Sequence, residues 1–587
     1  MGIMGRRISL EAVFPFLGWR RLITRHTLAR DFVAGLVVAL VLIPQSLAYA
    51  QLAGLPVYFG LYAALLPVAV GALFGSSRQL ATGPVAMTSL LTAASIAPLA
   101  APGTPTFIAY AILLALLSGL VQLLLGWLRM GVLVNFLSHP VLLGFTNAAA
   151  LIITLSQLSA LLAVSMGTSG HFLEDLWPLF AGIGHSHWVT LTMGLSALGL
   201  MWALRKLAPR LPGALVAAAL STGVSYLIGF AELGGRVVGE IPQGLPSLTL
   251  PPLEWRASIQ LLPTALVIAM ISFMEAMASA KVIAMKTRVP LDINQELIGQ
   301  GLAKIAGAFS QSFPVSGSFS RSALNLAMGA RTGASALFTA FFVLLTLLFL
   351  TPLLYHLPLS VLAAIIAMAV MPLLNLKGIR DAWRARMDDG LAAVWTFLAT
   401  LAFAPRIHAG ILSGIVLSLG FFLYRSMRPR AVILGRDRDG TLRDAARFHL
   451  PPLHPRIAAI RFDGQLYFAN VSYFEDFVLK VVSDAPALRF ILVVANGING
   501  LDASGVEMLS QLVDRLGENG VTLVFSGVKK QVRDVMERTG LDRKIGPDNL
   551  FRLVSTEKMA LEAIGSRLAT EADGPEAGGT PRGPAAP

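Results

Sequence analysis

Residues 312–331, SFPVSGSFSRSALNLAMGAR, form a polar stretch broken by glycine and proline and set among apolar runs of membrane length. Few features constrain a fold more. Lipid leaves no backbone N–H or C=O unpaired, so irregular polar chain at membrane depth is buried in protein or lines a wet cavity. Residues 75–90, GSSRQLATGPVAMTSL, have the same character in the other half of the apolar region. Two interrupted segments in corresponding halves point to the substrate site of a transporter.

The surroundings fit. The chain is 55% hydrophobic and only 13% charged. Charges are scarce through most of 32–424 and common after it, as in a polytopic membrane protein with a soluble C-terminal domain. Apolar runs place spans near 31–50, 56–74, 107–127, 138–163, 188–206, 212–230, 259–283, 293–310, 334–354, 357–373, 388–404 and 408–425. Short helices at 84–98 and 319–330 bring the total to fourteen, as numbers three and ten. Fourteen reads as seven plus seven, and an odd repeat length forces the halves to be inverted.

Charge tests the parity. With the N-terminus inside, the inner side receives Arg20, Arg21, Arg25, Arg30, Arg78, Arg129, Arg205, Lys206, Lys281, Lys286, Arg288, Arg331, Lys377, Arg380, Arg384 and Arg386. The outer side receives Arg236, Arg256 and Arg406. That is the bias of a membrane protein with both termini in the cytoplasm. It accounts for the net charge of +13 without nucleic acid. No cysteine is present, which excludes disulfides, thiol catalysis and cysteine–metal sites. No short apolar core with a cleavage site follows the N-terminal arginines, so no removable signal peptide is expected. No nucleophile–base pair or metal cluster stands out, so neither an enzyme nor a cofactor is expected.

The organisation expected is a cytoplasmic segment 1–30, a membrane domain 31–427, a linker 428–446, a soluble domain 447–566 and a disordered tail 567–587. In the soluble part, 458–462, 466–468, 490–495 and 521–526 read as strands, and 471–482, 504–516 and 530–539 as helices. Their alternation implies a small α/β domain.

The chemistry gathers at the two interruptions. Pro84 suits the first turn of a helix, where its missing N–H costs nothing. Helices 84–98 and 319–330 would start near mid-membrane, each N-terminus carrying roughly half a positive charge. Their free N–H groups make an anion site. Ser316, Ser318 and Ser320 add hydroxyl donors, and Arg321 adds a fixed charge. Serines capping two structural breaks are the alternative. In span one, Pro44 frees a carbonyl, and Gln45 and Tyr49 are four apart on one face. They line the cavity or satisfy neighbouring helices. Glu275, in span eight, is the one carboxylate in the middle of a span. An intramembrane acid is costly and suits a proton carrier, or a structural ion pair with Lys304 or Arg321. Ser504, at the start of a soluble helix, is a capping residue or a regulatory phosphorylation site.

These residues resemble the SulP family of sulfate permeases and anion exchangers from about Asp31 to Ile564. The resemblance rests on Pro44-Gln45-Ser46-Leu47-Ala48-Tyr49-Ala50, Gly60-Leu61-Tyr62, Gly75-Ser76-Ser77-Arg78 with Gly83-Pro84, Asn294-Gln295-Glu296-Leu297, and Ser318-Phe319-Ser320-Arg321-Ser322. The soluble part resembles a STAS domain, with Asp502-Ala503-Ser504-Gly505 at the loop phosphorylated in anti-sigma-factor antagonists. Ala495-Asn496 stand where an aspartate is usual. The resemblance implies a seven-plus-seven inverted fold with core and gate domains, a homodimer in a bacterial inner membrane, and a small inorganic anion substrate. It implies a substrate pocket at Gln45, Tyr49, Val85, Ser320 and Arg321, with Ala86, Ser318 and Phe319 beside them. Glu275 matches the acid of proton-coupled sulfate carriers. The implied activity is sulfate–proton symport by alternating access. Bicarbonate or dicarboxylate transport, or anion exchange, is the alternative within the class. A non-transporting membrane scaffold with a STAS output is the alternative outside it.

Overall fold

The computed structural model describes residues 14–131, 138–164, 172–208, 211–551 and 557–572. The chain divides into two compact units, Met1–Ser418 and Leu419–Pro587.

The membrane region is built from α1 (Arg25–Leu52), α2 (Phe59–Phe74), α3 (Ala86–Ile96), α4 (Pro105–Trp127), α5 (His139–Leu162), α6 (Trp188–Leu207) and α7 (Gly213–Leu227). These are followed by α8 (Trp255–Thr287), α9 (Ile293–Phe309), α10 (Phe319–Ala327), α11 (Ala334–Leu354), α12 (Leu359–Val370), α13 (Met387–Phe403) and α14 (Ile407–Met427). Side-chain caps start several of them. Thr24 and Thr27 exchange hydrogen bonds at the head of α1, and Asp292 accepts from Asn294 and Gln295 at the head of α9. Helices α3 and α10 have only 11 and 9 residues. At about 1.5 Å per residue, each reaches roughly half of a ~30 Å hydrocarbon core.

The packing carries the repeat. Helix α1 lies against α11, and α8 lies against α4; α5 lies against α13, and α12 against α6. Adding seven to the number of each helix exchanges the members of these pairs. Helices α1–α4 and α8–α11 form the core domain, and α5–α7 with α12–α14 form the gate. They meet where α7 and α12 pack on α1. Glycine lets core backbones touch. A Cβ at Gly301 of α9 would stand 2.7 Å from the backbone N of Leu123 in α4, and one at Gly119 would stand 2.9 Å from the Gly301 carbonyl.

Two three-residue strands precede the half-helices, β1 (Ala81–Gly83) before α3 and β2 (Ser316–Ser318) before α10. They pair antiparallel, Ala81 with Ser318 and Gly83 with Ser316. Each satisfies the other's backbone groups, which answers the requirement lipid imposes on irregular chain.

The second unit has one six-stranded sheet, in the order β4-β3-β5-β6-β7-β8. The strands are β3 (Arg430–Arg436), β4 (Leu442–Asp444), β5 (Ile457–Asp463), β6 (Phe490–Val494), β7 (Thr522–Ser526) and β8 (Leu550–Phe551). Strands β5 to β8 are parallel; β3 is antiparallel to both neighbours. Central β6 reads FILVV and is buried throughout, as a parallel strand covered on both faces must be. Ile491 and Val493 meet the helices Val471–Asp484, Ala503–Glu518 and Lys530–Thr539 on one face. Leu492 and Val494 meet the helix Glu557–Ala572 on the other.

Three expectations change here. The stretch 428–446, expected as linker, contains β3 and β4. Its apolar core Ala431–Leu434 is short and flanked by arginines, so its charge density hid a strand. Leu466–Phe468 is no strand; Leu466 makes one isolated bridge to Leu501. The first residues of the expected tail continue the helix Glu557–Ala572. Residues 573–587, and 1–13 of the N-terminal segment, lie outside the described residues.

Candidate functional site

Helix α3 begins at Ala86, with Val85 as its extended cap residue. Pro84 is therefore not in the first turn, as expected, but ahead of the cap. Its carbonyl accepts a hydrogen bond from Nη2 of Arg321, at 2.9 Å. Helix α10 begins at Phe319, and Oγ of Ser318 accepts from the Arg321 backbone N–H at 3.5 Å. The helices leave opposite ends of the β1–β2 ribbon. Three residues of ribbon, about 10 Å, separate their N-termini.

A cavity of about 350 Å³ lies beside α10, between core and gate. The core gives it Gln45, Tyr49 and Ser320; the gate gives it Arg205 of α6, the start of α7, and Ile365 and Met368 of α12. Gln45 and Tyr49 stand one turn apart on α1, so they share a face. The residues expected at the site do not all reach this cavity. Val85, Ala86 and Ser318 are buried, and Phe319 is exposed.

Arg321 is 1% exposed and faces into the core. Besides its bond to Pro84, its Nη1 donates to Oε1 of Gln45 at 3.4 Å. Its Nε is buried without a partner. The guanidinium braces three elements: α10, the turn before α3, and α1. Gly83 makes room for it. Its φ of +153° favours glycine, and a Cβ there would lie 3.3 Å from Arg321 Nη2. The cation that lines the cavity is Arg205, which the sequence presents only as one of the inner-face charges. Its signal was present: a basic pair, Arg205-Lys206, in the last turn of a span.

Glu275 lies on α8 behind the ribbon. A Cβ at Gly317 of β2 would come 2.8 Å from Cα of Ala276, the next residue. Oε2 of Glu275 is buried without a hydrogen-bond partner. Tyr49, Arg321 and Lys304 are within electrostatic reach of it. Lys304 takes other partners: Nζ donates to Oε1 of Gln122 at 2.7 Å and to Oγ of Ser272 at 2.8 Å. Ser316 donates to the Ser272 carbonyl at 2.8 Å. A buried polar network thus ties α4, α8, α9 and β2 together around the acid.

In the second unit, Asp502 caps the helix Ala503–Glu518. Its Oδ1 accepts from Gly505 N–H at 2.8 Å, and its Oδ2 from Phe468 N–H at 2.9 Å. Ser504 follows, half-buried in the first turn. Asn496, after β6, donates to Glu557 at 2.8 Å.

Known proteins resemble this chain in sequence and fold. Residues 28–396 match the model of the sulfate permease family, and residues 451–558 match that of the STAS domain. Sulfate transporter 4.1, chloroplastic, of Arabidopsis thaliana is 34% identical over 560 residues, covering 92% of this chain and 81% of that protein. The structure of the murine Solute Carrier 26 family member A9 anion transporter, in the inward-facing state, superimposes with a TM-score of 0.86. It is 20% identical and covers 96% of each chain. The transmembrane domain of a cyanobacterium bicarbonate transporter, BicA, matches with a TM-score of 0.56 at 25% identity, covering 68% of this chain and 99% of that one.

Proposed function

The chain belongs to the sulfate permease family, and on that premise we propose that it is a secondary active transporter of small inorganic oxyanions, sulfate first, coupled to protons and working by alternating access. One observation carries the reading. Ser320, in the first turn of α10, lines a cavity that Arg205, Gln45 and Tyr49 also line. A helix N-terminus, hydroxyl and amide donors, and one cation suit a small oxyanion. Arg321 supports the site from behind by holding Gln45 and the turn before α3. Glu275 is the group proposed to carry the proton.

Arg205 and Pro372, which line the cavity, support a reading in which it opens toward the side that the charge bias assigns to the cytoplasm. The reading includes an inward-facing state, both termini cytoplasmic, a bacterial inner membrane and a homodimer. Ser504 is a candidate regulatory residue of the soluble domain, whose sheet already includes β3 from Arg430. Bicarbonate, a dicarboxylate or exchange is the second reading, favoured by the likeness to the bicarbonate transporter.

Uptake into proteoliposomes decides between them. With radiolabelled sulfate, bicarbonate and succinate offered separately, sulfate should accumulate, and accumulate further under an acidic exterior. Bicarbonate uptake alone would establish the second reading. If no anion moves through well-folded protein, the chain is a membrane-tethered scaffold.

A further inference from the structure

A second cavity, of about 650 Å³, lies away from the first, against the core domain. Four segments converge on it: the start of α1, the turn before β1, the end of α8 and the residues after α10. They bring His26, Arg30, Arg78, Lys286 and Arg331 to one concavity, and no acidic side chain lines it. Among the described residues, the side chains of Arg30, Arg78, Lys286 and Arg331 have no hydrogen-bond or ion-pair partner. The acid beside them in sequence, Asp31, is turned inward and occupied. It accepts from the backbone N–H groups of Arg331 and Thr332, at 2.6 and 3.2 Å, and from the Thr332 hydroxyl at 2.5 Å.

A general positive bias of the inner face explains cations scattered over loops. It does not explain four unpaired cations drawn round one hollow, where like charges repel and each raises the attraction for an anion. The hollow is also far larger than one sulfate needs and falls in the range of small-molecule sites. Guanidinium forks match phosphate oxygens in pairs, and an ammonium adds a point charge.

We propose that this cavity binds an anion carrying several phosphate charges, either a soluble polyphosphate or a phosphate borne by a membrane lipid. Such a ligand would touch the same frame as the transport site. Nε2 of Gln79 donates to the carbonyls of Ala330 and Arg331, both at 3.3 Å. Nδ2 of Asn325 donates to the Gln79 carbonyl at 3.1 Å. Gln79 lies two residues before β1, and Asn325 belongs to α10. The binding itself does not depend on which anion is transported.

The test uses the full chain in phosphatidylcholine nanodiscs and inorganic tripolyphosphate as probe, followed by calorimetry. One saturable site is expected. The double variant Arg30→Gln/Arg331→Gln should weaken it by roughly tenfold or more per lost charge-assisted contact. Lys286→Gln should weaken it less, and all variants should melt near the wild-type temperature. Ser320→Ala, in the other cavity, should leave the titration unchanged. A lipid source would show as a rise in melting temperature when cardiolipin is added to the discs, abolished in the double variant. The proposal is overturned if neither probe binds, or if binding survives the double variant.

Discussion

Ser320 and Arg321 are neighbours in sequence, yet about 100° separates them around α10. Ser320 faces the cavity and Arg321 faces the core, where it holds Pro84 and Gln45. Adjacency in a motif suggests that both address the anion; helical geometry gives them different surroundings, and Arg205, from the gate, is the cation lining the cavity. The Arg205-Lys206 pair marks a basic span end in the sequence, but only tertiary packing brings it to the same cavity as Ser320. The two arginines should therefore fail differently. Arg205→Gln should cost roughly tenfold in affinity for sulfate and less for nitrate, since a lone cation attracts a dianion more. Arg321→Lys keeps the charge but cannot span two acceptors with a planar fork. It should lose about 1–3 kcal/mol of stability and slow both anions alike. Anion-competition assays and melting curves on the two variants check this. Equal losses for sulfate and nitrate in Arg205→Gln would remove Arg205 from the site.

At the scale of elements, the half-helices were legible because lipid makes polar interruptions conspicuous. The ribbon joining them was not, since three-residue strands have too little pattern to read. The Asn294-Gln295-Glu296-Leu297 motif gains its explanation only in three dimensions. Asn294 accepts from Gly131 N–H at 3.1 Å, Gln295 donates to the Phe74 carbonyl at 2.8 Å, and Glu296 accepts from Ser77 N–H at 2.9 Å. One turn later Gln300 donates to Oγ1 of Thr82 in β1, at 2.9 Å. Helix α9 thus fixes the chain that leads into the site. Ribbon and helix also meet at Gly317, whose added Cβ would press on backbone, 2.8 Å from Cα of Ala276. Backbone yields poorly, so Gly317→Ala should cost about 1–3 kcal/mol and push β2 away from α8. Expected are a lower melting temperature and slower uptake. An unchanged protein would mean that the ribbon is free to shift.

Across the whole molecule, the residues lining the proposed anion cavity all come from the first unit, while the second has hydrophobic clusters on both faces of its own sheet. Cutting after Met427 should therefore leave anion binding in place and lower expression or rate; a well-folded membrane unit that bound nothing would move part of the site into the STAS domain. The proposed coupling is the more demanding question, because it would join Glu275 to an anion beside Ser320. Glu275 sits behind the ribbon with one oxygen unpartnered, within electrostatic reach of Tyr49 and Arg321. In a poorly solvated core, a charge there acts over several ångströms. Ionised, Glu275 opposes an anion at Ser320; protonated, it does not. Under the proposed coupling, proton and anion would favour each other, and by equal amounts, since linkage is reciprocal. Glu275→Gln fixes the neutral form. It should keep sulfate binding and sulfate–sulfate exchange while losing the extra accumulation that an acidic exterior drives. Sulfate affinity, which in the wild type should strengthen as pH falls, should become flat with pH in the variant. If the variant still accumulates sulfate under a proton gradient, the proton travels by another group. If it loses binding altogether, Glu275 belongs with Lys304 and Ser272 to the scaffold that holds the ribbon, and coupling has to be sought elsewhere in the core.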